Sequence, residues 1–224
     1  MAHVGTKERR YQRGRHRDDG GGCSAVVVAA ANGACSDAET EGLNRRLAAL
    51  LRRAPRPVGR SISVRFAPDL RAHRGRLISG GPHGTEVHAG AFPRKREIVL
   101  ASELLENPPE LGRVILHELF HFVWLRAGNA LRRSWEALLE GELRQCARGE
   151  LGWSADDRKH QLSPQDPAHR SRRWREYACE SFCDSAAWLL GSARVHEEFT
   201  LGRRFREGRR RWFQTLLNRP GLPV

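Results

Sequence analysis

The sequence predicts an α+β domain in which a small N-terminal sheet is followed by a bundle of helices. Two observations carry this prediction. Between residues 61 and 102 the chain has short segments that are rich in β-branched residues or alternate apolar with polar residues, as strands do. After residue 109 the apolar residues recur at helical spacing instead. The length of 224 residues suits one domain with a substantial core, and no internal repeat is evident.

The N-terminal part, residues 1–35, is predicted to be a disordered basic tail, and residues 36–224 are predicted to form a single domain. Met1–Gly22 offers almost nothing to bury. The apolar run Ala25–Ala31 follows it as in a secretory signal peptide, but the run has the minimum length for one and is preceded by aspartates and glycines. No apolar run approaches the roughly 18 residues of a membrane span, so none is expected.

The first predicted element is a helix from Ser36 to Arg53. "SDAE" has the form of a capping box, with Ser36 as the N-cap and Glu39 three residues later, and Pro55 ends the helix. Three strands are predicted next, with a turn at 93–95 between the last two: Ser61–Ala67, Thr85–Phe92 and Arg96–Ser102.

The C-terminal half is predicted to be helical, because its apolar residues fall on single helix faces. Proline in the first turn and a glycine past the end bound the first of these helices. A loop containing Pro164 and Pro167 is expected between the second helix and the third. The four helices are predicted at residues 109–126, 130–147, 171–190 and 201–217.

The stretch "VILHELFHFVWL" (Val114–Leu125) carries two imidazoles and a carboxylate in a segment that is otherwise apolar. On a helix, His117 and His121 lie one above the other, so both can reach one cation. Glu118 lies about 100° round the helix, near that cation but poorly placed to bind it. Since burying three polar groups without partners would be costly, this pattern predicts a zinc site with Glu118 as a general base. Core histidines bonded to backbone carbonyls are the alternative.

A third zinc ligand is expected on the helix "REYACESFCDSAAWLL" (Arg175–Leu190). Glu180 and Asp184 are one turn apart there, and two buried carboxylates would be costly without cationic or hydrogen-bonding partners. Glu180 is predicted to bind the metal, and Asp184 to accept the distal N–H of one histidine.

"HELFH" followed by "ESFCD" resembles the gluzincin branch of the zincin metallopeptidases. The resemblance covers these two helices and extends to "REIVLAS", although the interval between the motifs is longer than in thermolysin. It implies a zincin-like fold, Glu180 as the third zinc ligand, Asp184 as a support for a histidine, and a strand before the first helix that pairs with the bound peptide.

Several alternatives remain open on this helix and beyond it. "EYACESF" also resembles a gluzincin-like pattern in which Glu176 would be the ligand, although only Glu180 has an aspartate four residues later. Cys179 and Cys183, also one turn apart, can hold a metal but are interpreted as small buried residues. His160 and His169 are further candidate ligands. The group that stabilises the oxyanion is left open among Tyr177, His160, His169 and Arg175.

The net charge of +13 raises the question of nucleic-acid binding. The arginines are spread along the chain, and only 3 of the 39 basic residues are lysine, so a basic soluble protein is favoured. Five cysteines, an odd number with no evident disulfide framework, favour reduced thiols and a cytoplasmic location. The predicted function is hydrolysis of peptide or protein substrates by a zinc-activated water. The alternative is a metal-binding or DNA-linked regulatory module of the same fold without peptidase activity.

Overall fold

A computed structural model describes residues 27–28, 37–74, 76–80, 83–193, 195–218 and 221–224. The predicted α+β class is confirmed, with the strands concentrated before the long helices. The strands are β1 (Val27–Val28), β2 (Pro57–Val58), β3 (Ser63–Ala67), β4 (Leu70–His73), β5 (Arg76–Ser79), β6 (Thr85–Glu86), β7 (Ala89–Phe92), β8 (Glu97–Ala101) and β9 (Leu222–Pro223). The helices are α1 (Asp37–Leu50), α2 (Pro108–Arg126), α3 (Asn129–Arg144), α4 (Trp153–His160), α5 (Asp166–His169), α6 (Arg172–Leu190) and α7 (Arg203–Leu217).

The predicted strands and helices correspond to these elements with three corrections. The expected strand Thr85–Phe92 is divided into β6 and β7, because β6 pairs with β4 in a separate small sheet. The hairpin of β4 and β5 and the two-residue strands β1, β2 and β9 lie where the sequence predicts no strand. The expected loop before α6 contains the helices α4 and α5. The predicted tail lies outside the described residues except for β1, and Ser36 lies outside them too.

The main sheet has the strand order β1-β3-β8-β7. β1 pairs parallel with β3, and β3 pairs parallel with β8, whereas β7 runs antiparallel to β8 and forms one edge of this sheet. β3 and β8 bury alternating or continuous apolar side chains, as strands covered on a face do. β7 is therefore an antiparallel edge strand, and β8, the last strand before α2, lies inside the sheet.

α2 is the central helix of the molecule. Asn107 caps its N-terminus by accepting the Glu110 backbone N–H, and Pro108 occupies the first turn, where no N–H is needed. Most of the helix from Leu111 to Trp124 is buried. α6 packs along it, and the Ser171 side chain caps α6 by accepting the Trp174 N–H. The two helices that carry the sequence motifs are therefore packed against each other in the interior.

The C-terminal helix α7 is held by a buried ion-pair network. Arg209 is fully buried and its guanidinium lies 2.7 Å from Glu142 of α3 and 2.6 Å from Glu150. Glu150 also accepts a hydrogen bond from the Tyr177 hydroxyl. Burial alone would lower the pKa of Arg209, but the two carboxylates raise it well above its usual value, so the guanidinium stays charged. The network joins α3, α6 and α7 through satisfied charges.

Within the described residues, no helix is both long and apolar enough to cross a membrane.

Candidate metal centre

Three side-chain atoms from α2 and α6 converge at one point. The Nε2 atoms of His117 and His121 lie 3.2 Å apart. Oε2 of Glu180 lies 3.3 Å from His117 Nε2 and 3.8 Å from His121 Nε2. Two imidazole nitrogens and one carboxylate oxygen thus form a small triangle, with one helix supplying the nitrogens and its neighbour the oxygen.

The size of this triangle fits a zinc ion. With bonds of about 2.0–2.2 Å, tetrahedral coordination separates neighbouring nitrogen or oxygen ligands by about 3.3–3.5 Å. The observed separations of 3.2, 3.3 and 3.8 Å lie close to that range. Three protein ligands leave a fourth position of the tetrahedron open, as hydrolytic zinc sites require. The donor set therefore fits zinc in both chemistry and spacing.

Asp184 orients His117 from behind. Its Oδ1 lies 2.7 Å from His117 Nδ1 and accepts the proton of that nitrogen, so Nε2 is the nitrogen that would bind a metal in the triangle. Its Oδ2 accepts the backbone N–H of Ala155 at 2.9 Å, in the first turn of α4. Gly152 precedes that turn, and a Cβ there would overlap the Asp184 carboxylate. The N-terminus of α4 thus fixes the position of the Asp184 carboxylate, and that carboxylate in turn orients His117.

Glu118 lies between the triangle and the edge strand of the sheet. The side chain is buried, and the Ala91 backbone of β7 donates a hydrogen bond to its carboxylate. Burial raises the pKa of Glu118, and the positive charges of His117 and His121 offset only part of that effect. A carboxyl with a raised pKa is a stronger base than an exposed one, which suits proton transfer near neutral pH.

The pKa values of the two histidines show that the site attracts positive charge. Burial alone would lower the pKa of His117, but the charge and hydrogen bond of Asp184, then Glu180, raise it well above its usual value. Burial would also lower the pKa of His121, but Cys179 and Glu180 outweigh this effect and raise that pKa to about 9. The buried carboxylates therefore draw cations into the site, and a divalent metal can replace the protons on both imidazoles.

Cys179 is the polar neighbour of His121. Its Sγ lies 3.4 Å from His121 Nδ1, on the opposite side of the ring from Nε2. A hydrogen bond from Cys183 and the charge of His121 lower the pKa of Cys179 to about 6, against the effect of burial. Cys183 is fully buried one turn further along α6. Each histidine thus has an acceptor behind it, a carboxylate for His117 and a sulfur for His121.

The other residues considered as zinc ligands lie elsewhere. Glu176 pairs with Arg172 at 2.7 Å and Arg158 at 3.8 Å, one turn before Glu180. His160 is exposed on α4 and bonds to its own helix, and His169 is exposed at the end of α5. The structure thus brings His117, His121 and Glu180 together, whereas Glu176, His160 and His169 lie outside this group.

The residues considered for the oxyanion are placed as follows. Tyr177 is buried and donates its hydroxyl to Glu150 at 2.6 Å. Arg175 is exposed on the outer face of α6, and the two histidines of α4 and α5 are exposed as described. Tyr177 therefore has a structural partner, and the remaining three face solvent.

Three features of this site were not anticipated from the sequence. α4 lies where the sequence predicts a loop, and its N-terminus supports Asp184. β8 was the strand expected to pair with substrate, but it lies between β3 and β7, so β7 is the edge strand. Cys179 was interpreted as a core residue. In the segment "CESFCD" the two cysteines are four residues apart, and so are the two carboxylates. That spacing indicates that the two thiols lie on one face of the helix, next to the face of the carboxylates.

Comparisons with models of known protein families, with curated proteins and with solved structures gave no match. The site is therefore interpreted from its own geometry.

Proposed function

We propose that this chain is a zinc-dependent peptidase that hydrolyses peptide bonds, with His117, His121 and Glu180 as the metal ligands and Glu118 as the general base. One observation carries the proposal: the two Nε2 atoms and the Glu180 oxygen converge at zinc-ligand spacing, and the Glu118 carboxylate, which accepts a hydrogen bond from the Ala91 backbone, lies within 4.8 Å of a ring nitrogen of each histidine. A purely structural zinc site commonly closes its fourth position with a protein ligand and has no use for a neighbouring carboxylate base.

The residues around the site divide the chemistry among them. When bound, zinc would polarise the scissile carbonyl and lower the pKa of a water molecule. Glu118 accepts a proton from the attacking water and delivers it to the leaving amine, a role that its raised pKa favours. Asp184 keeps His117 in the tautomer whose Nε2 faces the triangle, and Cys179 offers the same support to His121.

The edge strand β7 supports a peptide as the substrate. The backbone oxygen of His88 accepts the Ala101 N–H, so residues 88, 90 and 92 form the hydrogen-bonded pairs with β8. Ala91 lies between two of these pairs, and its N–H therefore points away from β8. That N–H reaches Glu118. An extended peptide added alongside β7 would therefore pass next to the base, with the backbone of β7 as its hydrogen-bonding partner.

The test compares Glu118→Gln with Glu176→Gln, a matched change one helix away at an ion-paired residue outside the triangle. We expect Glu118→Gln to retain about one zinc per chain but to lose hydrolysis of a fluorogenic peptide library by a factor of at least about 10². Glu176→Gln should retain both zinc and hydrolysis. Hydrolysis by Glu118→Gln at the parent rate, or none by the zinc-loaded parent across the library, would contradict the proposal.

A further inference from the structure

A second group of metal-binding atoms lies directly behind the candidate centre. The sulfurs of Cys179 and Cys183 and a ring nitrogen of His121 all lie within 4.8 Å of one another. The two thiols are one turn apart on α6, and the Cys183 thiol hydrogen-bonds to Cys179. The imidazole is on α2, with its Nδ1 3.4 Å from the Cys179 sulfur. This cluster has its own donor atoms and shares one side chain with the triangle.

The spacing of the cluster fits a thiophilic ion. Bonds of about 2.3 Å to sulfur and about 2.0–2.1 Å to nitrogen place tetrahedral neighbours about 3.5–3.8 Å apart. The Cys179–His121 separation of 3.4 Å is close to this range, and the 4.8 Å bound on the whole group requires only small movements of the thiols. Two thiolates also neutralise a divalent cation, which lowers the cost of holding it beside the fully buried Cys183.

We propose that Cys179, Cys183 and His121 Nδ1 form a second metal site, selective for thiophilic divalent ions, that excludes zinc from the triangle of His117, His121 and Glu180. On binding, both sulfurs bind the ion as thiolates, and any proton that the pair still carries is released to solvent. Sulfur ligands favour soft ions such as Cd²⁺ over the harder ions that carboxylates and imidazoles bind.

The exclusion follows from the chemistry of one imidazole ring. A neutral imidazole carries one proton and has one nitrogen with a free lone pair. If Nε2 of His121 binds zinc in the triangle, the ring proton must sit on Nδ1, the nitrogen that lies 3.4 Å from the Cys179 sulfur. When Nδ1 binds a metal, the proton moves to Nε2, which can no longer bind zinc. The triangle then retains only His117 and Glu180, and zinc is released.

The metal site stands independently of peptidase activity, whereas its consequence, inhibition by thiophilic ions, rests on the proposed function. A control protein in which Cys23, Cys35 and Cys146 are replaced by serine keeps only the two clustered thiols. Zinc-loaded control protein is titrated with Cd²⁺ while sulfur-to-cadmium charge-transfer absorbance and released zinc are recorded. The control protein is compared with one variant that also carries both Cys179→Ser and Cys183→Ser.

We expect the charge-transfer band to saturate at about one cadmium per chain, with about one zinc released for each cadmium bound. Because Cys179 supports His121, the variant without the two thiols is first saturated with zinc; it should then show no band, and the same Cd²⁺ concentration should release no more zinc than buffer alone does. Absence of the band in the control protein would overturn the site. The band without zinc release would overturn the exclusion. Both readouts are independent of peptide hydrolysis, so loss of the proposed function would leave them unchanged.

Because Cys183 is fully buried, the serine variants could misfold, and a measurement on the control protein alone guards against that. The ¹¹³Cd NMR shift reports the number of sulfur ligands without any change in the cluster. A shift in the range of two sulfurs and one nitrogen supports the site, and a shift typical of nitrogen and oxygen ligands alone overturns it.

Discussion

Glu176, Glu180 and Asp184 occupy successive turns of α6, yet each has a different role because each meets different neighbours. Glu176 faces Arg172 and Arg158, Glu180 faces the two Nε2 atoms, and Asp184 meets the back of His117 and the first turn of α4. Spacing alone allows either Glu176 or Glu180 to be the ligand. The distinction comes from α4 and its preceding segment, which turn Asp184 toward α2.

Single substitutions along α6 test this assignment. We expect Glu180→Ala to abolish tight zinc binding, because it removes one corner of the triangle. Asp184→Ala should weaken zinc affinity by roughly 10–100-fold, the usual effect of losing a group that orients a ligand. Glu176→Ala, the matched control, should leave affinity unchanged. Competition against a chelator of known affinity measures all three, and zinc loss in Glu176→Ala with full retention in Glu180→Ala would move the site one turn.

The pKa values of the histidines predict how zinc affinity depends on pH. In the metal-free protein the pKa of His121 is raised to about 9 and that of His117 well above its usual value, so both rings are protonated below those values. Zinc must displace the protons that the pair holds, so affinity falls as pH falls and binding near neutral pH releases at least one proton. Calorimetry in buffers of different ionisation enthalpy counts them.

A charge-removing variant supplies the control for the proton count. Asp184→Asn removes the carboxylate that is the main cause of the raised His117 pKa, so fewer protons should be released than by the parent. An affinity that stays constant between about pH 6 and pH 8 in the parent would contradict the charge balance described for the site.

At the scale of elements, the long buried helices were predictable and the short supporting elements were not. α2 and α6 each have 19 residues with a strong apolar pattern, and their observed bounds lie within one residue of those predicted. α4 has eight residues, of which only Ala155 is buried, so no periodicity marks it. The position of β7 at a sheet edge depends on long-range pairing that local pattern does not encode.

Two glycines that precede helices offer a matched test of how α4 supports the site. Gly152 precedes α4 against the Asp184 carboxylate, whereas Gly128 precedes α3 with no atom within 4 Å of an added Cβ. We expect Gly152→Ala to separate α4 from Asp184, lowering stability by about 1–3 kcal/mol. Zinc affinity should fall with it, because Asp184 then holds His117 less firmly. Gly128→Ala should change neither, as thermal unfolding and chelator competition would show.

At the scale of the whole molecule, two short parallel pairings tie β1 and β9 to the rest of the domain. Val27 and Val28 of β1 pair with β3, and Leu222 of β9 pairs with Pro57 of β2. The apolar run that imitates a signal peptide in the sequence thus supplies an edge strand of the main sheet. Its alanine and valine composition fits both uses, so composition alone did not distinguish them.

Two N-terminal truncations separate the contribution of β1 from that of the basic segment before it. Deleting Met1–Gly22 should leave the melting temperature and zinc content unchanged, because that composition offers almost nothing to bury and β1 is retained. Deleting residues 1–28 also removes the pairing with Ser63 and Val64, at about 0.5–1.5 kcal/mol per lost hydrogen bond. For a domain of this size each kcal/mol corresponds to roughly 2–4 °C in melting temperature. Equal melting temperatures for the two truncations would show that β1 contributes nothing to stability, and a large drop in the shorter deletion would show that the basic segment does.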